Sequence, residues 1–201
     1  MWAFFEDYWW GSDVPVSEPP VYPVYEPTVV DVEIPIGDNL LGNYDFETDD
    51  FGVIGNWTST DIELNRWYIV DDPDGGREVT WISEGGIYGS GGLEIKDEAC
   101  CGAFSSVEAV QIVPAVEGLT YTVGAHITVA QGDSGTLYLD FLDDKMNRID
   151  VVTVGGGTSI WSSIDVFEVA PIGTKYIRVI LYSGNESMGT NYWDNVTLIV
   201  N

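Results

Sequence analysis

The strongest constraint on the fold is the alternation of apolar and polar side chains in short stretches from residue 39 onward. Such alternation is typical of half-buried strands, because successive side chains of a strand point to opposite faces of its sheet. Segments rich in glycine and aspartate, such as AQGDSG and VGGGTS, separate the stretches as turns do. The pattern predicts an all-β, antiparallel jelly-roll β-sandwich of roughly ten strands. Its predicted inward positions are Leu119, Tyr121, Val123, Ala125, Ile127, Val129, Leu137, Leu139, Phe141, Ile177, Val179 and Leu181.

Residues 1–38 differ in composition from residues 39–201 and form a predicted N-terminal arm. Six of the nine prolines and eight acidic residues lie in this arm, which has no lysine or arginine. Proline-rich chains favour an extended conformation, so the arm can reach on the order of 100 Å. Its first ten residues carry too much apolar area to remain in water, and we expect them to dock on a surface. The aromatic residues of this tip are Trp2, Phe4, Phe5, Tyr8, Trp9 and Trp10.

The end of the arm, residues 29–36, has the pattern of a single β-strand. Its alternation places four apolar side chains on one face, and Pro35, which cannot donate to a ladder, favours an edge position. Two interpretations follow: the segment is the first strand of its own sandwich, or it is donated to the sheet of a neighbouring subunit. The four apolar residues are Val30, Val32, Ile34 and Ile36.

The formal net charge of −26 restricts the partners of the chain. Nucleic acid and anionic membrane surfaces would be repelled by this field, so we expect neither as a partner. Membrane insertion is not expected either, since no apolar run approaches the roughly 18 residues of a membrane helix. Cations are the expected counterpart, either divalent metal ions held by carboxylates or the high salt of a halophile habitat.

Four phrases, in order along the chain, resemble the jelly-roll carbohydrate-binding modules related to galactose-binding-like domains. They are NLLGNYDFET (39–48), GSGGLEI (89–95), IWSSIDVFEVAPIGTKYIRVIL (160–181) and NYWDNVTL (191–198). The resemblance covers residues 39–201 and implies a secreted, non-catalytic sandwich. It also implies a structural Ca²⁺ between an opening glutamate and a closing aspartate, which match Glu47 and Asp194. Asp45, one of the further acidic residues, is an additional candidate ligand on its chemistry alone. Tyr44 departs from the pattern, because a small residue usually stands at that position.

A catalytic site is not expected. The single histidine, His126, lies within a predicted strand, and no serine, cysteine or carboxylate motif around it resembles a nucleophile constellation. Sugar binding requires aromatic rings that the apolar faces of pyranoses can stack on. Trp161 and Trp193 match core positions, whereas four aromatic residues between the first strands are candidates for display on loops. These four are Trp57, Trp67, Trp81 and Tyr88.

Three Asn-x-Ser/Thr triplets and a scarcity of lysine favour an extracellular or cell-surface protein, with glycosylation predicted at Asn56, Asn185 and Asn195. Cys100 and Cys101 are adjacent, and their Cα atoms would lie about 3.8 Å apart, closer than an ordinary disulfide prefers. The alternatives are two free thiols, a strained ring within one loop, or bridges to another subunit.

Two functions are compatible with these features. The arm favours a self-assembling extracellular subunit of a filament, tube or surface layer, which polymerises with copies of itself by strand donation and Ca²⁺ support. The alternative is a secreted carbohydrate-binding module that docks on polysaccharide through exposed aromatic residues.

Overall fold

The computed structural model describes residue 34 and residues 36–53, 63–70, 76–97, 107–132, 135–183 and 189–201. These residues form eleven strands and one turn of 3-10 helix, Ile87–Gly89. The strands are β1 (Gly52–Val53), β2 (Trp67–Val70), β3 (Arg77–Ile82), β4 (Gly92–Asp97), β5 (Glu108–Pro114), β6 (Thr120–Gln131), β7 (Gly135–Leu142), β8 (Arg148–Gly156), β9 (Ser162–Val169), β10 (Tyr176–Tyr182) and β11 (Gly189–Val200).

The strands pair into two sheets that pack face to face. The six-stranded sheet has the order β1-β2-β5-β10-β7-β8, and the five-stranded sheet has the order β3-β4-β11-β6-β9. Neighbouring strands are antiparallel except β1 and β2, which are parallel. The predicted all-β jelly-roll sandwich is therefore confirmed.

The core between the sheets is built from one parity of each strand, as the alternation predicts. On β6, Tyr121, Val123, Ala125 and Ile127 are buried, and the predicted inward residues of β7 and β10 join them in one apolar cluster. Leu119 is partly buried and packs against this cluster. Burial of these apolar side chains makes the main favourable contribution to the free energy of folding.

Strand β11 lies at the centre of the five-stranded sheet, between β4 and β6. Its register against β6 shifts between Asp194 and Thr197, and Asn195 adopts a left-handed backbone with φ of 49°. This is a β-bulge, which inserts extra chain into one strand and redirects the neighbouring side chains. The bulge allows Trp193 and Val196 both to enter the core, with Asp194 and Asn195 between them.

The end of the predicted arm and the residues just after it are fastened to their own sandwich. Leu40 N donates to Leu198 O at 2.9 Å, and Gly37 N donates to Val200 O at 3.2 Å. Ile34 packs against the core of the same chain, whereas Ile36 is 77% exposed. The expectation that these two residues share one strand face is therefore wrong, because the backbone bends over residues 36–38. Val30, Val32 and the aromatic tip lie outside the described residues.

Within the described part of the chain, no helix is both long and apolar enough to cross a membrane.

Candidate functional site

The predicted metal residue Asp194 is completely buried at the bulge of β11. Its Oδ2 accepts hydrogen bonds from Ile87 N at 2.8 Å and Ser90 Oγ at 2.9 Å, and its Oδ1 accepts one from Asn195 N at 2.6 Å. The donors recorded for this carboxylate are thus neutral groups. Burying a carboxylate costs free energy unless the carboxylate is hydrogen-bonded. The 85–91 loop supplies two of the donors, and the bonds in turn hold this loop in place.

Two glycines bring the 85–91 loop against both Asp194 and the segment that contains Glu47. A Cβ added to Gly86 would lie 2.7 Å from Asp194 Oδ2 and 2.1 Å from Gly91 O. A Cβ added to Gly91 would lie 2.0 Å from Phe46 O and 3.3 Å from Glu47 Cα. Only glycine fits such close backbone approaches. The structure therefore brings the backbone at Glu47 near Asp194, as the resemblance implies.

The side chains of the other two predicted ligands are less enclosed than Asp194. Glu47 is exposed and Asp45 is half-buried. The described residues contain no group of three histidine, cysteine, aspartate or glutamate side chains that could hold a metal ion. The oxygen donors present are instead one buried carboxylate and nearby backbone carbonyls. Oxygens of both kinds are ligands that Ca²⁺ accepts, so the residues fit such an ion.

The structure contradicts the prediction that all four candidate sugar-stacking residues are displayed on loops. Trp67 lies on β2 rather than on a loop, is only 1% exposed, and packs its ring 5.4 Å from that of Phe46. Display of Trp67 to a ligand is therefore excluded by its place in the core. Trp81 is half-buried on β3 and donates from Nε1 to Phe46 O at 2.6 Å, so it fastens the opening segment to the sandwich. Tyr88 is fully exposed, and Trp57 lies outside the described residues.

Among the predicted modification sites, only Asn195 is described. It lies half-buried in the bulge, and its glycosylation stays a prediction. Asn56, Asn185, Cys100 and Cys101 lie outside the described residues. His126 is half-buried on β6, with Nε2 at 3.1 Å from Ser163 Oγ.

A second apolar surface, which we did not predict, covers the outer side of the six-stranded sheet. We call it the tyrosine face. It uses the strand parity opposite to the core, and its central row pairs Tyr68 with Val110, Val110 with Ile180, and Ile180 with Tyr138. The rings of Tyr138 and Tyr182 contact each other edge to face at a centroid distance of 5.9 Å. The face consists of Tyr68, Val70, Val110, Tyr138, Ile180 and Tyr182.

A charged group lies within this face, one row from its centre. Asp140 is completely buried, and its Oδ2 accepts from Arg178 Nε at 2.9 Å and from Arg148 Nη2 at 2.7 Å. Arg178 Nη2 donates to the same oxygen. Asp140 Oδ1 has no hydrogen-bond partner within the described structure. A buried acceptor without a donor is costly, so the two arginines that bond to the other oxygen have to compensate for it.

The low polarity of the tyrosine face raises the pKa values of two of its tyrosines. Burial, together with the nearby Tyr138, Asp97 and Glu108, raises the pKa of Tyr182 to about 12 against the partial opposing effect of Arg77. Burial and the charge of Glu108 also raise the pKa of Tyr138. Both phenols therefore stay protonated at neutral pH and can donate hydrogen bonds.

The sequence contains a signal for the tyrosine face. In KYIRVILY, the parity of Ile177, Val179 and Leu181 predicts the core, but the other parity carries Tyr176, Ile180 and Tyr182. A strand that is apolar on both parities is expected where both faces of the sheet are covered.

No protein-family model matches the sequence, and no curated protein matches it. Several solved structures share its fold. A Bacteroides thetaiotaomicron protein named for sugar binding aligns with a TM-score of 0.61 at 13% identity, over 82% of this chain and 100% of that one. A CBM4 structure aligns with a TM-score of 0.56 at 17% identity, over 80% of this chain and 99% of that one.

The CBM22-1 xylan-binding domain of Paenibacillus barcinonensis Xyn10C aligns with a TM-score of 0.54 at 12% identity, over 84% of this chain and 97% of that one. Likeness at such identities defines a fold and leaves the ligand open. The described part of the chain thus shares the jelly-roll fold of these solved structures.

Proposed function

We propose that this protein is a non-catalytic, extracellular carbohydrate-binding module and that the tyrosine face is its glycan site. The observation that carries this proposal is the combination, on one sheet surface, of half-buried tyrosine rings with the partly exposed guanidinium group of Arg148. The shared fold with solved carbohydrate-binding modules supports it.

Each part of this surface has a chemical role in sugar recognition. The apolar faces of pyranose rings stack on aromatic side chains, for which Tyr138 and Tyr182 are half-buried and thus partly accessible. Hydroxyl groups of the sugar would accept from the guanidinium group of Arg148, whose side chain is partly exposed, since charged groups form the stronger hydrogen bonds. The strongly acidic chain favours a neutral polysaccharide, because an anionic one would be repelled.

Titration of the full chain with soluble neutral polysaccharides, namely a xylan, a β-glucan and a galactan, tests the proposal. We expect at least one of them to bind, and we expect Tyr182→Ala and Tyr138→Ala to weaken that binding about tenfold or more. The matched control is Phe167→Ala, an exposed aromatic residue on the other sheet. Binding that survives both tyrosine substitutions, or the absence of binding to all three polymers, would overturn the proposal.

We propose in addition a structural Ca²⁺ at the junction of Asp194, the 85–91 loop and the backbone of Glu47. Asp194 and backbone carbonyls would hold it together with Glu47, whose Cα approaches Gly91 of the 85–91 loop, and Asp45 is a further candidate ligand. Support comes from the buried carboxylate, whose recorded partners carry no charge, and from the close backbone approach at Gly86 and Gly91. The ion would neutralise the buried charge and tie three chain segments together.

Self-assembly with copies of the same chain is the second candidate function. It is favoured by an exposed apolar patch at one end of the sandwich, where Phe167 is 66% exposed and Ile172 is 90% exposed. Val116 and Val169 extend the patch, since the turns at 116–118 and 170–173 are hydrogen-bonded to each other. Contiguous exposed apolar surface is typical of protein contacts.

Sedimentation velocity of the full chain tests this candidate, with Phe167→Asp and Ile172→Asp as the variants. Self-assembly predicts large species that both substitutions dissociate. A wild-type chain that sediments only as a monomer, with and without Ca²⁺, would eliminate it.

A further inference from the structure

Strand β9 is an edge of the five-stranded sheet, in which it pairs only with β6. Ala170 N donates to Leu119 O at 2.9 Å at the end of this ladder. Alternate residues of an antiparallel strand bond to the same neighbour, so the even-numbered residues of β9 bond to β6. The odd-numbered residues therefore direct their N–H and C=O groups away from every described strand of the sheet. They are Ser163, Asp165, Phe167 and Val169.

The free side of β9 is accessible. Phe167 is 66% exposed and Val169 is 49% exposed. Glu168 Oε1 accepts a hydrogen bond from Val169 N at 2.9 Å, which agrees with an N–H group that points away from β6. Because Glu168 is itself exposed, its carboxylate can give up this bond and remain in water. The edge can therefore accept one more strand.

Strand β9 is also the least protected of the sheet edges that the structure describes. β1 has only two residues, and β3 exposes no large apolar side chain. β8 has a register shift in its pairing with β7 and ends in two glycines. β9 has eight residues, with no proline, glycine or lysine and no register shift. A long, regular edge strand with exposed apolar side chains is a template for pairing with another chain.

A second copy of β9 fits this edge through a two-fold axis at Phe167, because such an axis places a strand antiparallel to itself. Phe167 then lies opposite its own copy, and Asp165 lies opposite Val169 of the other chain. Aromatic pairs across antiparallel strands are stabilising, whereas like charges directly opposite each other are destabilising. An axis at Asp165 or Glu168 would oppose two carboxylates, and an axis at Val166 would place Phe167 opposite Asp165. The axis at Phe167 is therefore favoured.

In this register the backbone groups of both edges are satisfied. Phe167 exchanges both of its backbone hydrogen bonds with its own copy, and Asp165 does so with Val169 of the other chain. Together the two edges gain about six backbone hydrogen bonds. The identical strand of a second chain thus supplies the length, the direction and the side-chain pairs that this edge requires.

We propose that two copies of this chain pair edge to edge through β9, antiparallel about Phe167, and so join their five-stranded sheets into one sheet of ten strands. This inference names a contact for the self-assembly considered above and rests on that second candidate function. It does not involve the tyrosine face and is independent of glycan binding. The two-fold axis closes the contact, so β9 alone produces dimers, and larger species require a second contact.

Cysteine crosslinking of the full chain tests the register. Light and heavy isotopic forms of Phe167→Cys are mixed, oxidised, digested and mapped by mass spectrometry. Residues of a hydrogen-bonded antiparallel pair have Cα atoms about 5.5 Å apart, which a disulfide accepts, so we expect a 167–167 link between unlike isotopes. The matched control is Val169→Cys, whose two copies would lie about 13 Å apart at a rise of about 3.3 Å per residue. No 167–167 link, or a 169–169 link of equal yield, would overturn the proposal.

Sedimentation velocity of the chain without added cysteines measures the pairing itself, at protein concentrations from about 10 μM to about 1 mM. We expect a monomer–dimer equilibrium that salt strengthens, because screening reduces the repulsion between two chains of net charge −26. Phe167→Asp should weaken the dimer about tenfold or more. Glu168→Ala, which frees Val169 N and removes a charge at the edge, should strengthen it several-fold. Glu78→Ala removes an equal charge from β3, the opposite edge of the sheet, and should have a smaller effect.

The outcomes separate this contact from the functions proposed above. A wild-type chain that is monomeric at every concentration and salt level would reject both the β9 contact and self-assembly. Large species without a 167–167 link would retain self-assembly and reject pairing through β9. A crosslinked dimer that binds no polysaccharide would retain the contact and reject the glycan site. Equal dimer strength in the Glu168→Ala and Glu78→Ala variants would contradict the role of Val169 N in the pairing.

Discussion

Asp140 and Arg178 lie directly opposite each other on β7 and β10, and their side chains form an ion pair in which the carboxylate is fully buried. Arg148 from the next strand donates to the same oxygen at 2.7 Å. The removal of one member of a buried pair leaves the other charge uncompensated, which is more costly than the loss of a surface pair.

We therefore expect Asp140→Asn to lower the free energy of unfolding by about 3 kcal/mol. The amide keeps the shape of the side chain but does not balance two guanidinium groups. Urea denaturation measures the change. Asp150→Asn, an exposed carboxylate on β8, is the control and should change stability by less than about 0.5 kcal/mol. Equal losses of unfolding free energy in the two variants would contradict a stabilising role for the buried ion pair.

Trp67 and Tyr88 are expected to behave in opposite ways. Trp67→Ala should cost about 3 to 5 kcal/mol of stability, because the ring is enclosed in the core against Phe46. Tyr88→Ala, at a fully exposed position, should change stability by less than about 0.5 kcal/mol. Thermal unfolding of both variants checks this. A small loss in Trp67→Ala would contradict the position of β2 in the sandwich.

Gly91→Ala should destabilise the protein by about 1 to 3 kcal/mol or more. The new methyl group would lie 2.0 Å from Phe46 O, so either the 85–91 loop or the opening segment must move. Gly124→Ala is the control, because its Cβ would make one tight contact, with the end of a side chain at Thr197 Oγ1 (3.2 Å), and otherwise only van der Waals contacts at 3.5 Å. Denaturant midpoints that shift equally in both variants would contradict the close packing at Gly91.

Stability should decrease at alkaline pH in part through Tyr192. Its hydroxyl donates to Glu94 Oε2 at 2.5 Å, and this bond, with burial, raises the pKa of Tyr192 from 10.0 to about 12. The unfolded chain releases the proton at lower pH than the folded chain, so the contribution is fully present below pH 10.0 and is lost as the pH rises to about 12.

The variant Tyr192→Phe should therefore show a shallower fall of unfolding free energy between these pH values, with the remaining slope due in part to Tyr182. Urea titrations at a series of alkaline pH values measure it. Tyr88→Phe should keep the wild-type slope. A Tyr192→Phe slope equal to that of the wild type would contradict the hydrogen bond.

Calcium should raise the melting temperature of the wild-type chain, because an ion that binds only the folded state stabilises it. A chelator should reverse the increase. Asp194→Asn should abolish it, whereas Asp144→Asn, an exposed residue of a turn, should retain it. A wild-type melting temperature that neither Ca²⁺ nor the chelator changes would rule out the proposed ion.

Much of the sandwich could be predicted because one side of each strand is buried. The alternation at Tyr121, Val123 and Ala125 reports the core directly, since a shift of one residue would expose all of them. The resemblance likewise placed Asp194 at the end of a core strand. It could not reveal Ser90 and Ile87 N as its donors, because they are 104 and 107 positions away in the chain.

Trp67 and the tyrosine face were missed for related reasons. The segment WYIV is apolar at every position, so no period distinguishes its inner residue Trp67 from its outer residue Tyr68. On β10 too, both parities carry apolar side chains, so the outward direction of Tyr182 could not be predicted. When both parities of a strand are apolar, the sequence does not distinguish the face that packs on the other sheet from the outer face.

The bulge of β11 divides a twelve-residue strand into two halves that cannot slide together. Trp193 ahead of it and Val196 behind it both point inward, so a slip of either half by one position would turn a large side chain out to solvent. The bulge therefore fixes the register of β11 against β6. Any insertion or deletion that the domain tolerates must fall outside this point.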